Sequence, residues 1–331
     1  MIRIGIIGLG WWGKQIVTCL ANSSRLKVVA GCDLDTKMAA AFAATQKFDL
    51  TDDYKVLLKR SDVDAVAVVT PHLLHEEMAV AGFAAGKQVF CEKPLALNTA
   101  SAARILAACD KTGGVLGIGH ERRYEPAMEE MRRLFESGAL GRVLHLDANV
   151  SHNNFRKMDP SNWRRDPRHA PAGAWTALGI HLGDMFVSLA GKPVRVTART
   201  TSQIFERPFE DFVSAEIDFE SGARGRITCL STPPFYGRFT LVGDRGWVEI
   251  QEGGNVDKGI PSSFVHCGPD GIRHSRSYDH INTVRLNFEA WADAVEGCAP
   301  YRFSTEQLLA NISILDAVVR SAAADGKPIT L

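Results

Sequence analysis

Three glycines near the start of the chain have the spacing of a phosphate-binding turn. Gly8, Gly10 and Gly13 follow an apolar run at residues 2–7 and precede apolar residues at helical spacing. Gly8 allows a tight turn, Gly10 lets the backbone approach a pyrophosphate, and Gly13 lets the helix pack close to the strand. The free N–H groups at the start of such a helix attract anions. The spacing therefore predicts a dinucleotide site, and an ordinary glycine turn is the alternative.

An acidic residue stands where a dinucleotide site needs one. Asp33 lies twenty residues after the last of these glycines, at the end of a second predicted strand. Its carboxylate can accept hydrogen bonds from ribose hydroxyls and repels a 2′-phosphate, which predicts NAD, with NADP as the alternative. Lys37 is close enough in sequence to soften this preference. Trp11 and Trp12, inside the glycine turn, are predicted to line the cofactor entrance or to pack over the turn.

Polar residues follow three further predicted strands. The first of these strands is followed by Thr70, the second by Glu92 and the third by residues 120–123, His-Glu-Arg-Arg. In an open α/β sheet, ligands bind at the carboxyl ends of the strands. We therefore predict that this edge of the sheet contributes to the same dinucleotide site. The predicted cofactor-binding residues here are Thr70, Pro71, His72, His75, Glu92 and Lys93.

Lys93 has a side chain that could serve a hydride transfer. Oxidation of a secondary alcohol requires the hydroxyl proton to leave, and reduction of a ketone requires a proton to be supplied. A partly desolvated lysine near a positive nicotinamide ring has a lowered pKa and can act as the acid or base. The alternatives are an ion pair with Glu92 and a solvated lysine at the end of a strand.

The composition restricts the class of protein. The 331 residues are enough for two domains, and Lys plus Arg equals Asp plus Glu at 38 each. Zero net charge disfavours nucleic-acid and membrane-surface partners, and no apolar run reaches the ~18 residues of a membrane helix. The seven cysteines lack a C-x-x-C pair, so we expect reduced thiols and no metal site. Met1 enters the first strand directly, which predicts no signal peptide and a cytoplasmic protein.

The pattern of predicted elements changes near residue 120. Strands and helices alternate before it, which predicts an α/β Rossmann domain with a doubly wound parallel sheet at residues 1–120. Residues 121–331 are predicted to form an α+β domain with an open, mostly antiparallel sheet. The strands of that domain are predicted at residues 143–151, 194–201, 211–219, 224–230, 239–242 and 247–251.

The sheet of the second domain is also expected to form an interface. Val213, Ala215 and Ile217 form one apolar face, and we place Phe212 and Phe219 on the opposite face. A face not covered by helices would be buried against a partner subunit. We therefore predict a homodimer or homotetramer that assembles through this sheet and acts on a small-molecule substrate.

Four motifs occur in one order along the chain. They are the glycine turn, Glu92-Lys93-Pro94, Arg123-Tyr124 before Pro126, and Gly179-Ile180-His181 followed by Asp184. This set resembles the Gfo/Idh/MocA oxidoreductases over nearly the whole chain, and the Glu-Lys-Pro tripeptide is its most specific part. The resemblance implies an NAD(P)-dependent enzyme that pairs a Rossmann domain with an open-sheet domain and acts on sugars, inositols and similar polyols.

The resemblance also implies roles for individual residues. Lys93 would be the catalytic acid or base, and His181 would contact substrate hydroxyls and assist proton transfer. A core histidine bonded to backbone is the alternative for His181. Asp184 would orient His181 or face the domain interface. Ala177 departs from the family, which usually has an aspartate four residues before that histidine, so the usual Asp–His pair is absent.

Arginines are frequent near the predicted substrate site. In the family a Trp-Arg pair often reaches the cofactor or substrate, and Trp163-Arg164 is its counterpart here. Such a cluster suits an anion, either the pyrophosphate or a substrate carboxylate. Surface charge paired with Asp159 and Asp166 is the alternative. The predicted substrate-binding residues are Lys93, Arg122, Arg123, Arg168, His181 and Asp184.

The sequence predicts hydride transfer between nicotinamide and a secondary alcohol or ketone. The expected substrate is a sugar, an inositol or a related cyclic polyol, acidic ones included. The alternatives are a dihydrodiol-type dehydrogenase of a cyclic non-sugar substrate and a non-catalytic NAD(P)-binding regulator. Lys93 and His181 favour an enzyme, whereas Ala177 favours a regulator.

Overall fold

The computed structural model describes residues 1–206 and 208–331, which divide into two compact units. The first unit holds residues 1–121 and 282–305, and the second holds residues 122–281 and 306–331. The division predicted at residue 120 did not anticipate that the segment 282–305 packs with the first unit. Each unit has its own sheet and its own core.

Helices cover both sheets. The α-helices of the described residues are α1 (Trp11–Leu20), α2 (Thr36–Gln46), α3 (Tyr54–Leu58), α4 (His75–Ala84), α5 (Thr99–Thr112), α6 (Pro126–Glu136), α7 (Ile180–Ala190), α8 (Thr283–Val295) and α9 (Thr305–Ala323). Helix α5 begins after Asn98, whose side chain accepts the N–H of Ser101 at 2.9 Å and caps the helix. A π-helical turn, Trp175–Gly179, leads directly into α7.

The first unit is built on a sheet of six parallel strands. They are β1 (Ile2–Ile7), β2 (Leu26–Cys32), β3 (Asp49–Thr51), β4 (Ala65–Val68), β5 (Gln88–Cys91) and β6 (Leu116–Ile118). Their order in the sheet is β3-β2-β1-β4-β5-β6, and neighbouring strands are parallel. This is the doubly wound order, with its switch point between β1 and β4. The predicted Rossmann sheet is confirmed.

Helix α8 completes the core of the first unit although it lies far along the chain. Phe288 stacks on Phe90 of β5 with ring centroids 3.7 Å apart, and Trp291 meets the same ring edge-on. The indole N–H of Trp291 donates to the carbonyl of Val115 at 3.0 Å. A Cβ at Gly117 of β6 would lie 2.3 Å from the Phe90 ring, so only glycine gives these rings room. Burial of the three rings holds α8 on the sheet.

The second unit is built on a mixed, mostly antiparallel sheet of nine strands. They are β7 (Val143–Ser151), β8 (Pro193–Thr201), β9 (Phe212–Phe219), β10 (Arg224–Leu230), β11 (Tyr236–Gly243), β12 (Trp247–Glu252), β13 (Ser262–Cys267), β14 (Arg273–Tyr278) and β15 (Ile329–Thr330), in the order β14-β13-β12-β11-β7-β10-β9-β8-β15. The pair β7 and β10 is parallel, and the other pairs are antiparallel. The predicted open sheet is confirmed, and β13, β14 and β15 add to it.

The inner face of the second sheet is apolar and packs against α6, α7 and the π-helical turn. Val213, Ala215 and Ile217 are buried on this face. Phe219, which we predicted on the opposite face, is only 3% exposed and shares the inner face. The prediction for Phe219 is wrong because residues an even number apart along a strand point to the same side.

The outer face of the second sheet is charged. Asp147 of β7 accepts hydrogen bonds from Arg226 at 2.9 Å and from Arg238. Asp218 of β9 pairs with Arg195 on the neighbouring strand. Cross-strand pairs of opposite charge therefore cover this face, and assembly through it remains a prediction.

Two features are absent from the residues that the structure describes. None of their helices combines the length and the apolar character needed to cross a membrane. The same residues contain no cluster of three or more His, Cys, Asp or Glu side chains that could hold a metal ion.

Candidate active site

The glycine turn after β1 has the backbone geometry that a dinucleotide requires. Gly8 has φ +101°, and a Cβ there would lie 2.5 Å from the carbonyl oxygen of Val69. A Cβ at Gly13 would lie 2.0 Å from the carbonyl oxygen of Gly8, so both positions exclude a side chain. A Cβ at Gly10 would meet no atom within 4 Å, which leaves open space at the start of α1. The first N–H groups of α1, which no side chain caps, border this space.

Asp33 fixes the glycine turn and leaves acceptor capacity for a ribose. Its Oδ2 accepts the N–H of Leu9 at 2.7 Å, and its Oδ1 accepts the N–H of Asp35 at 3.0 Å. Each carboxylate oxygen retains a second acceptor site that can receive a ribose hydroxyl. Lys37 is exposed nearby at the start of α2. The glycine turn and Asp33 together therefore fit the pyrophosphate and adenosine ribose of a dinucleotide.

The two tryptophans of the turn have different surroundings. Trp11 is 59% exposed, whereas Trp12 is half-buried and packs on the apolar core. Their ring centroids lie 5.4 Å apart. Trp11 is thus available to a ligand, and Trp12 has the packing role that the sequence left as the alternative.

The strand ends place the other predicted cofactor residues on the same edge of the first sheet. Thr70, Pro71 and His72 follow β4 and are half-buried. His75 is fully buried, and both of its ring nitrogens lie within hydrogen-bond distance of backbone carbonyls. Direct cofactor binding by His75, which we predicted, is therefore corrected to an internal bridge, since neither ring nitrogen is accessible.

Glu92 and Lys93 follow β5 and differ in exposure. Lys93 is half-buried, and its peptide bond to Pro94 is cis. The Glu92 side chain is buried and accepts the backbone N–H of Lys93 at 3.1 Å. Burial and the negative charge of Glu121 raise the pKa of Glu92 to about 7. A Cβ at Gly119, the residue after β6, would lie 2.5 Å from the Glu92 carboxyl group, so a glycine at this position leaves room for that group.

His181 lies in the first turn of α7, in the second unit, and is buried. The π-helical turn before it packs tightly, since a Cβ at Gly179 would lie 2.8 Å from the ring of Trp175. π-helical turns are frequent at functional sites. Asp184 follows one turn later, and Arg123 donates to it from Nε at 2.7 Å and from Nη2 at 2.6 Å. The Asp184 carboxylate is therefore part of a bidentate ion pair.

The other predicted arginines also have acidic or aromatic partners within the second unit. Arg122 donates to Glu252, and both side chains are buried. Arg168 is exposed and pairs with Asp166, whose pKa it lowers to about 2. For Arg168 this is the surface pairing that the sequence left as the alternative. The guanidinium of Arg164 stacks over the ring of Trp163 at 4.2 Å.

Comparison with known proteins decides the family. A family model described as "Oxidoreductase family, NAD-binding Rossmann fold" matches residues 2–120, and a model described as "GFO/IDH/MocA C-terminal domain" matches residues 128–249. Inositol 2-dehydrogenase 2 of Saccharopolyspora erythraea is 32% identical over 266 residues, which are 75% of this chain and 73% of that protein. The chain belongs to the Gfo/Idh/MocA oxidoreductase family.

Other proteins similar to this Gfo/Idh/MocA member extend the comparison. D-xylose 1-dehydrogenase (NADP(+)) 2 of Haloferax volcanii is 26% identical over 322 residues, which are 97% of each chain. The solved structure of levoglucosan dehydrogenase in complex with NADH has a TM-score of 0.87 at 22% identity and covers 99% of this chain and 98% of that one. The protein is an NAD(P)-dependent oxidoreductase of the Gfo/Idh/MocA family with an NAD(P)-binding Rossmann domain.

The roles of two acids in this Gfo/Idh/MocA protein were not predicted from the sequence. Glu121 perturbs Glu92, and Glu252 pairs with Arg122. Glu121 is among the polar residues predicted at the end of a strand, but no pattern in the sequence shows that its charge acts on Glu92. Glu252 lies 130 residues from its partner, and no local pattern marks it.

Proposed function

We propose that this protein transfers a hydride between a nicotinamide cofactor and a secondary alcohol or ketone of a sugar, an inositol or a related cyclic polyol. The observation that carries the proposal is the place of Lys93. It is half-buried at the second position after β5, two strands from β1 on the edge of the sheet that also bears the glycine turn. An inositol dehydrogenase and a xylose dehydrogenase among the relatives support the substrate class.

Each residue has a defined task in this reaction. The first N–H groups of α1 bind the pyrophosphate, and Asp33 accepts hydrogen bonds from the adenosine ribose. The nicotinamide ring, when bound, gives or takes the hydride. Lys93 removes the hydroxyl proton during oxidation and returns it during reduction. For His181 we propose contact with a substrate hydroxyl and assistance in proton transfer, the roles that the resemblance to the family implies.

A substrate panel tests the proposal. Sugars, inositols, sugar acids and cyclic dihydrodiols are incubated with NAD and with NADP, and the nicotinamide absorbance is followed. We expect turnover of at least one cyclic polyol. Turnover confined to dihydrodiols would favour the non-sugar dehydrogenase. Tight cofactor binding without turnover of any class would favour the regulator, for which Ala177 is the observation.

Variants of His181 separate its two roles. His181→Ala should raise the Michaelis constant if the imidazole only orients the substrate, and should lower the turnover number if it also moves a proton. Steady-state kinetics on a substrate from the panel distinguish these results. Unchanged values of both constants would remove His181 from the site.

We also propose that the outer face of the second sheet joins two copies of the chain. Asp147, Arg226 and Arg238 form a network of opposite charges there, which a two-fold related copy can extend. Light scattering at micromolar concentration should give a dimer or tetramer. A monomer under these conditions would contradict the proposal.

A further inference from the structure

His75 connects two turns that follow neighbouring strands of the first sheet. It is the first residue of α4, and its side chain is fully buried. Its Nε2 lies 3.0 Å from the carbonyl oxygen of Thr70, close after β4. Its Nδ1 lies 2.8 Å from the carbonyl oxygen of Pro94, which follows Lys93 after β5. The imidazole therefore spans the space between the two turns from inside the protein.

The two partners of this imidazole make its protonation informative. Carbonyl oxygens only accept hydrogen bonds, and a neutral imidazole has a single N–H, so it can donate to one of them. Burial lowers the pKa of His75 and the charge of Lys93 lowers it further, against the opposite effect of the two carbonyls. We assign the proton to Nδ1 because its contact, with Pro94, is the shorter one.

We propose that His75 is a positioning residue for Lys93, and that its hydrogen bond to the Pro94 carbonyl holds the lysine at the end of β5. The proposal rests on the proposed function of Lys93 as the acid or base. Pro94 is the next residue in the chain, so its carbonyl moves together with the backbone that carries the lysine. A displacement of ~1 Å in a reacting group can lower a rate by about 10²-fold.

The protein offers variants that separate the two contacts. His75→Phe retains a buried ring and removes both ring nitrogens. His75→Asn places an amide N–H near the position of Nδ1, and His75→Gln places one near the position of Nε2. If the bond to Pro94 positions Lys93, turnover should be highest for the Asn variant, lower for Gln and lowest for Phe. We expect His75→Phe to lower kcat by about 10- to 100-fold, with substrate KM and NADH affinity changed by less than about threefold.

A matched control removes a different tether of the same helix. The Tyr54 hydroxyl donates to Glu77 of α4 at 2.6 Å, on the side of α3. Tyr54→Phe therefore loosens α4 without touching the turn that contains Pro94. Its kcat should stay within about twofold of the wild-type value. An equal loss of kcat in Tyr54→Phe and His75→Phe would overturn the proposal, because any loosening of α4 would then suffice.

A double-mutant cycle shows whether His75 acts through Lys93. The kcat of His75→Phe is compared with wild type, and the double variant is compared with Lys93→Ala. We expect the 10- to 100-fold effect in the presence of the lysine and less than about a twofold effect in its absence. Equal effects in both backgrounds would overturn positioning and leave the function of Lys93 intact. Full turnover in Lys93→Ala alone would overturn both. If the Phe variant does not fold, His75→Asn and His75→Gln serve in the same cycle.

Discussion

Glu92 in the first unit and Asp184 in the second are both buried acids near residues with proposed catalytic tasks, yet their surroundings are opposite. Asp184 is held by two hydrogen bonds from the guanidinium of Arg123. Glu92 accepts the backbone N–H of Lys93 and experiences the negative charge of Glu121. Asp184 therefore has a cation in direct contact, whereas the ionised form of Glu92 is disfavoured by a second acid.

The difference separates a fixed charge from an adjustable one. The charge of the buried Asp184 carboxylate is compensated by the bidentate guanidinium of Arg123, and the pair acts as part of the framework. A buried carboxyl group beside another acid keeps its proton until the pH approaches 7. The adjustable group is adjacent in sequence to Lys93, the residue with the proposed proton exchange.

The largest expected effect on stability comes from breaking the fixed pair. Asp184→Asn removes the charge and leaves the buried guanidinium of Arg123 uncompensated, which should cost about 3–5 kcal/mol in the free energy of unfolding. Urea denaturation with the slope checked against wild type measures this loss. Asp166→Asn is the matched control, because its partner Arg168 is exposed, and it should have a much smaller effect. Equal losses in the two variants would remove the distinction between a buried and an exposed pair.

The largest expected effect on catalysis comes from the lysine beside the adjustable group. Lys93→Ala should lower turnover by about 10²-fold or more with little change in NAD affinity, the usual scale for a general acid or base. Lys93→Arg should not restore turnover, because a guanidinium stays protonated. Kinetics and calorimetric titration of the cofactor measure the two quantities. Near-normal turnover of Lys93→Ala would show that Lys93, the neighbour of Glu92, is not the acid or base.

Glu92→Gln should change how stability depends on pH. The pKa of Glu92 is about 7 in the folded protein against an ordinary value of 4.5, so between these values the folded state holds a proton that the unfolded state has lost. The contribution of Glu92 therefore favours folding at low pH and is lost as the pH rises toward 7. Melting temperatures from pH 5 to pH 8 should fall more steeply for wild type than for Glu92→Gln. Parallel curves would contradict the raised pKa of Glu92.

The smallest expected effect concerns Asp33, a half-buried acid whose carboxylate accepts hydrogen bonds from two backbone N–H groups. Asp33 should make NAD bind more tightly than NADP. Asp33→Ala should reduce the ratio of the two affinities by about tenfold, which is the size of effect expected from one charged contact. Calorimetric titration of both oxidised cofactors measures it. Tighter binding of NADP to the wild-type protein would contradict the assignment. Asp33 also holds Leu9, so the variant should bind both cofactors somewhat more weakly.

The parts of the molecule that the sequence predicts are those encoded by short spacings. The glycine turn, Asp33 and the polar strand ends lie within a few elements of one another, and the parallel order of the sheet brings them to one edge. Arg123 and Asp184 are 61 residues apart, and their pairing depends on how α7 packs in the second unit. The sequence offered Arg123 as a substrate ligand because arginine suits an anion, and it offered Asp184 because the resemblance to the family places that residue beside His181. Nothing local shows that the two satisfy each other.

The sequence did not predict strand β14 or the packing of helix α8 on the first sheet, and the physical reasons differ. Strand β14 lies at the edge of its sheet and is largely exposed, so it lacks the apolar alternation that marks a strand. The amphipathic pattern of α8 is typical of a helix but does not show which sheet the helix packs on. Its partner, Phe90, precedes it by almost two hundred residues.

Because α8 packs on the first sheet but comes late in the chain, it limits when that sheet can complete its folding during synthesis. A ribosome releases all six strands of that sheet about 165 residues before it releases α8. Until then Phe90 has no Phe288 to cover it, so the N-terminal sheet stays partly uncovered while strands β7 to β14 of the second sheet emerge. A chimera between relatives would therefore have to take residues 1–121 and 282–305 from the same parent. If the two segments came from different parents, α8 of one protein would pack on the sheet of another.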